Sequence, residues 1–185
     1  MTDHAQGLGR VHQLQAAYAP AEDRLLLRIN TSDHMEFRFW LTRRFVQRLW
    51  PALRQTLEMQ PDVAGMEQSA RGFMLDFMHE QATAAADFQA PFQEAPNTVM
   101  PLGNQPILAV QARIAAVPGH DQLRRFHLHP AQGYGIEVAM DMQLLHAFCK
   151  LLADAVTAAE WQLDLTLSPV MAHLVSPAEG KRILH

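Results

Sequence analysis

Apolar and polar residues alternate from Leu25 through Leu27 to Ile29, and again from Phe37 through Phe39 to Leu41, around the polar run Asn30-Thr31-Ser32-Asp33. Alternation at period two sends successive side chains to opposite faces, so this stretch predicts a β-hairpin with one apolar face. Thr42, a residue type that caps helix N-termini, follows at once, and Phe45, Val46, Leu49, Trp50, Leu53 and Leu57 recur at helical spacing. A helix therefore leaves the hairpin directly. Pro51 removes its hydrogen bond to the Gln47 carbonyl, so a bend is expected there.

The pattern returns 99 residues later, counted from Thr42 to Asp141. Phe126 and Leu128 take the places of Leu27 and Ile29, and Ile136, Val138 and Met140 those of Phe37, Phe39 and Leu41. Leu144, Leu145, Phe148, Cys149, Leu152 and Val156 then fall on the six apolar helix positions. Upstream, residues 11–18 and 107–117 both read as strands ending near a proline, Pro20 and Pro118, at an offset of 98. Arg124 in the place of Leu25 breaks the rule. The reading is an α+β fold of duplicated origin: two similar strand-strand-strand-helix halves with antiparallel sheets, at about residues 11–58 and 107–157.

A further helix is expected over residues 66–88, with Met66, Ala70, Phe73, Met74, Phe77 and Ala84 as its apolar stripe and Gly72 as a weak point. Pro91, Pro96, Pro101 and Pro106 mark residues 89–106 as the loop that joins the halves. Residues 161–167 alternate as a seventh strand, and 168–185 show no period. Two arrangements bury the apolar faces: one antiparallel sheet of six or seven strands covered by helices on one side, or two three-stranded sheets facing each other as a sandwich or open barrel. The pattern does not choose between them.

Composition changes this picture little. The 185 residues suit one domain, 1–185, and 49% hydrophobic against 18% charged residues is a globular balance. A net charge of −4 disfavours nucleic acid, whose phosphates call for a basic surface. Cys149 is the only cysteine, which excludes an internal disulfide and a cysteine zinc cluster; among Phe148, Leu151 and Leu152 it reads as a small core residue. The polar first ten residues lack the apolar core of a secretory signal, and no apolar run approaches the roughly 20 residues of a membrane span. A cytoplasmic protein with no membrane association is expected.

The run Asp23-Arg24-Leu25-Leu26-Leu27-Arg28-Ile29-Asn30-Thr31, with Phe39-Trp40-Leu41-Thr42-Arg43-Arg44 and Leu49-Trp50-Pro51-Ala52-Leu53, resembles a family of uncharacterised bacterial proteins, mainly proteobacterial, with no assigned activity. The resemblance covers roughly residues 11–58 and implies no mechanism. In element order alone, the chain is similar to the head domains of eukaryotic DNA end-joining scaffolds and centriole assembly proteins. Those heads dimerise through a long coiled coil, whereas the helix expected here over residues 141–160 is short.

Two groups of side chains invite chemistry. Arg28, Arg38 and Trp40 share the outer face of the first hairpin and Arg44 begins its helix, a cluster suited to carboxylates, phosphates or an acidic protein partner. The plainer reading pairs Arg28 with Glu36 across the hairpin. His127 and His129, two apart on a strand, share a face and could meet a ligand; a metal would need a third donor from Asp121, Glu137 or His120. A solvated face explains the pair without metal, so no metal and no cofactor are assigned. Gly133-Tyr134-Gly135 fits a hairpin turn, and no phosphate loop, GxSxG elbow or HExxH occurs. The sequence therefore points to a non-catalytic protein-protein interaction or self-association module, a homodimer among the options. The alternative is a small anionic ligand or nucleotide-binding protein, with or without catalysis, using a cleft between the halves.

Overall fold

The computed structural model describes residues 9–88, 91–93 and 97–168. Strands β1 (Gly9–Ala19), β2 (Arg24–Thr31) and β3 (Glu36–Leu41) form an antiparallel meander, and α1 (Arg43–Glu58) follows β3 after one residue. Next come α2 (Pro61–Ala64) and α3 (Gln68–Ala84), then β4 (Ile107–Leu108), β5 (Gln111–Val117), β6 (His120–His129), β7 (Ile136–Asp141) and α4 (Met142–Ala158). Thr42 Oγ1 accepts the Phe45 N–H at 3.1 Å and an Asp141 carboxylate oxygen accepts the Leu144 N–H at 2.8 Å. Each cap satisfies an amide that the first helical turn leaves without a partner. Helix α1 runs on through Pro51; the Gln47 carbonyl that loses its donor belongs to an exposed residue, where water can replace it.

All seven strands belong to one sheet, in the order β4-β3-β2-β1-β7-β6-β5. The sheet is mixed where an antiparallel one was expected, because β1 pairs parallel with β7 and β3 parallel with β4. Its outermost strands, β4 and β5, are neighbours in the chain, separated only by Ala109 and Val110. The Ala109 N–H donates to the Trp40 carbonyl at 3.0 Å and the Val110 N–H to the His129 carbonyl at 2.9 Å, so adjacent residues bond to opposite sides. The sheet thus closes on itself through residues 107–117, which covers edges that would otherwise offer unpaired backbone groups. Of the two expected arrangements, the single sheet of seven strands is the one present, differing in its two parallel junctions.

The registers repeat with constant offsets. Leu14 pairs with Ile29 and Ala16 with Leu27; Ala112 pairs with Leu128 and Ile114 with Phe126, offsets of 98 (Leu14 to Ala112) and 99 (Ile29 to Leu128). Leu27 opposite Phe39 corresponds to Phe126 opposite Val138. The parallel junctions obey the same rule, Gly9 lying beside Val138 and Ile107 beside Phe39. Every residue of β1–β3 used below therefore has a matching position in the later strands.

Leu25, Leu27, Ile29, Phe39 and Leu41 from the first meander, and Phe126, Leu128, Val138 and Met140 from the second, share one core with the buried stripes of α1 and α4. Phe126 meets Phe148 edge to face with centroids 5.4 Å apart, and Cys149 is fully buried. The helices cross over: α4 packs on β1 and α1 on β5.

Two further expectations need correction. Residues 161–167 form no strand; they run along α1, with the Trp161 carbonyl accepting from Arg43 Nε at 2.8 Å and the Thr166 carbonyl from Trp50 Nε1 at 3.2 Å. Trp161 and Leu167 are still buried, so the alternation reports burial of one side without a ladder. The helix expected over residues 66–88 is shorter and turned. Only Leu75 of α3 is buried, and Phe73 and Phe77 are exposed at 66% and 54%, because α3 meets α4 through the side carrying Leu75 and His79.

Candidate interaction grooves

Arg28 and Arg38 stand opposite each other on β2 and β3, and both reach Glu36: Arg28 Nε lies 2.8 Å and Arg38 Nε 2.6 Å from the same carboxylate oxygen. The Glu36 side chain is 1% exposed, those of the arginines 13% and 23%. Burial pushes the Glu36 carboxyl up, but the two arginine hydrogen bonds and charges outweigh it and hold it below the ordinary glutamate value. The plainer sequence reading, a cross-hairpin ion pair, is present and extended to three groups. Trp40 is half-buried at the junction with β4, where it lies beside Leu108, and Arg44 sits on the exposed side of the first turn of α1.

The chain itself covers part of this arginine face. Phe92 stacks on the Arg28 guanidinium, 3.9 Å from its ring centroid. The Gln13 side-chain amide donates to the Pro91 carbonyl at 3.3 Å and accepts the Gln93 N–H at 3.0 Å, and Asn30 Nδ2 donates to the Gln93 carbonyl at 3.1 Å. Residues 91–93 thus lie across β1 and β2, held by side-chain amides that read their backbone. Beneath them, Phe88 and Phe92 close over a groove of about 380 Å³ between β1 and α4, lined by Gln13, Leu14, Leu144, Ala147 and Leu151.

A groove in the matching place of the second meander is open. It holds about 480 Å³ between β5 and α1, lined by Phe45, Arg48, Leu49, Ala52, residues 110–113, His127 and His129. Position for position, Gln111 matches Gln13, Ala112 Leu14, Phe45 Leu144, Arg48 Ala147 and Ala52 Leu151 (offsets of 98 on the strand and 99 on the helix). His127 and His129 take the places of Arg28 and Asn30, the residues that hold Phe92 and Gln93. Among the described residues, none of the connecting segment lines this groove.

The two imidazoles are nearly parallel, 16° apart with centroids separated by 6.3 Å, and His127 Nδ1 lies 3.1 Å from a Glu137 carboxylate oxygen. Arg125 approaches the other oxygen of that carboxylate at 3.7 Å. Gly135 fixes the spot where the chain passes His129, since any side chain there would collide with the Leu128 carbonyl and the His129 ring. Among the described residues no group of three His, Cys, Asp or Glu side chains could hold a metal. Arg48, exposed, belongs with Arg43 and Arg44 to the arginine group at the start of the first helix, whereas Arg113, Gln111 and Val110, also exposed, are groove residues the sequence does not single out. The identity of Gln13 and Gln111 at the strand offset of 98 is a signal that could have found them.

A third space, about 690 Å³, lies between β1, β7 and α4, with Arg10 and His120 among its lining residues. Ala139 lines it at the place that Trp40 takes in the first meander. Elsewhere on α4, His146 is buried between Gln60 and His79: its Nε2 is 3.3 Å from Gln60 Nε2 and its Nδ1 is 3.2 Å from His79 Nδ1. Burial, with the neighbouring His79, lowers the His146 pKa to about 4, so it is neutral at pH 7. An amide N–H donating to Nε2 leaves the His146 proton on Nδ1, pointing at His79.

No protein-family model matches the chain, and neither the curated proteins nor the solved structures contain a significant match. Among the described residues no helix is long and apolar enough to cross a membrane.

Proposed function

We propose that this protein is a non-catalytic interaction module, cytoplasmic and of duplicated origin, that holds another protein chain, or a second copy of itself, in the groove between α1 and β5. One observation carries the reading. The same chain lays its own residues 91–93 across the matching strands of the first meander, so this surface type already serves as a seat for extended polypeptide. The repeated registers, in both the antiparallel pairs and the parallel junctions, support the duplication.

The alternative, a small anionic ligand between the halves, draws support from the cavity that Ala139 leaves where Trp40 stands in the other meander, with Arg10 and His120 available to an anion. Light scattering over a concentration series, on wild type beside the groove-blocking Ala52→Trp, separates the two when run with a thermal-shift screen against phosphate and ATP. A concentration-dependent mass that falls to the monomer value in Ala52→Trp supports the interaction reading. A strictly monomeric protein whose midpoint rises with phosphate or ATP overturns it in favour of the ligand.

A further inference from the structure

We infer that the open groove between α1 and β5 takes an extended peptide segment that carries an aromatic residue beside carboxylates; this rests on the interaction reading above and names the partner's chemistry. The bound mode is drawn from the first meander. There the Gln13 amide both donates to and accepts from the backbone of residues 91–93, and Phe92 lies flat on the side chain of residue 28. Gln111 offers the same amide at the matching strand position, exposed. His127, held by Glu137, and the parallel His129 ring offer two imidazoles at the positions of Arg28 and Asn30. A segment seated there would exchange two backbone hydrogen bonds with Gln111 and set its aromatic ring against the imidazoles.

Charge narrows the class further. Arg48 replaces Ala147 and Arg113 replaces Gln15, while His127 replaces Arg28, so the open groove has two guanidinium groups where the covered seat has one. The Glu137 carboxylate beside it is engaged by His127 and Arg125. Carboxylates flanking the aromatic residue would find arginine forks on both walls. The chain's own segment from Ala86 to Glu94, Ala-Asp-Phe-Gln-Ala-Pro-Phe-Gln-Glu, has this composition and supplies a ready probe.

The test is fluorescence anisotropy with that labelled nine-residue peptide, titrated into the full chain and into Gln111→Ala, Arg113→Glu and Gln13→Ala variants whose circular dichroism matches wild type. Saturable binding is expected, weakened about ten-fold by Gln111→Ala through loss of two hydrogen bonds. Weakening by Arg113→Glu is expected to shrink as salt is added, and Gln13→Ala should leave the affinity unchanged. A peptide with both phenylalanines changed to alanine should not bind. Absence of saturation up to about 1 mM overturns the proposal. So does binding that responds to Gln13→Ala and ignores Gln111→Ala, which would mean the peptide only displaces the chain's own segment. If either occurs while Ala52→Trp still dissociates the wild-type assembly, the interaction reading survives and the extended-peptide mode falls. If the assembly is absent as well, both fall.

Discussion

Lowering the pH from 7 to 4 should cost the folded protein about 3 kcal/mol through His146 alone. The ring is 2% exposed and carries no acidic partner; Gln60 and His79 meet its two nitrogens, and protonation would place a cation against His79 in a site water does not reach. The folded-state pKa of about 4 lies below the ordinary 6.5, so the unfolded chain binds the proton first as pH falls. Stability from this group is therefore complete above about pH 6.5, declines between 6.5 and 4, and levels off below. Other groups titrate in the same interval, so the quantity to measure is the difference between wild type and His146→Leu in urea unfolding at several pH values. The variant loses the pairing of Gln60 and His79 at every pH, which makes it less stable at pH 7 by about 1–3 kcal/mol. That deficit should close and reverse toward pH 4. A difference that stays constant from pH 7 to 4 would refute the reasoning, because it would mean that His146 titrates alike in both states.

Three further outcomes follow from the geometry. Glu36→Gln should destabilise by about 1–3 kcal/mol in chemical unfolding, since it replaces two charge-assisted hydrogen bonds, from Arg28 and Arg38, with bonds to a neutral amide; the depressed Glu36 pKa means that its contribution in the wild type is present above the ordinary glutamate range and lost as pH falls through the lowered value. Gln13→Ala should leave global stability nearly unchanged but speed hydrogen exchange of the Gln93 amide by about ten-fold, as the bond from that N–H to the side chain disappears. Ala139→Trp should be accepted within about 1 kcal/mol, because the cavity beside it is large and the matching position already carries Trp40; a loss of about 3 kcal/mol or more in thermal unfolding would show overpacking instead.

The hairpins and both capped helices were legible because alternation and helical spacing report directly which side of an element meets the core, and Leu25 to Ile29 or Phe45 to Leu57 have no other use for that pattern. The closure was not, since it depends on backbone hydrogen bonds of Ala109 and Val110, which side-chain identity does not encode. Periodicity also shows that α3 has an apolar stripe without showing what the stripe faces, and Phe73 and Phe77 turned out to face solvent. Alternation in residues 161–167 reported one-sided burial and was mistaken for a ladder. At the site, His127 and His129 were recognisable as sharing a face, and the Arg28 to Glu36 pair as a bond across the hairpin. The groove needs Arg48 from α1 beside Gln111 and Arg113 from β5, and only the crossing of each helix onto the other meander brings those together.

Hydrogen exchange on the full chain with and without the Ala86–Glu94 peptide bears most directly on the claim that the groove between α1 and β5 seats a second polypeptide. The expected result is new protection in residues 110–113 and across the first half of α1, with residues 12–16 unchanged. Protection confined to residues 12–16, or none at saturating peptide, would contradict it.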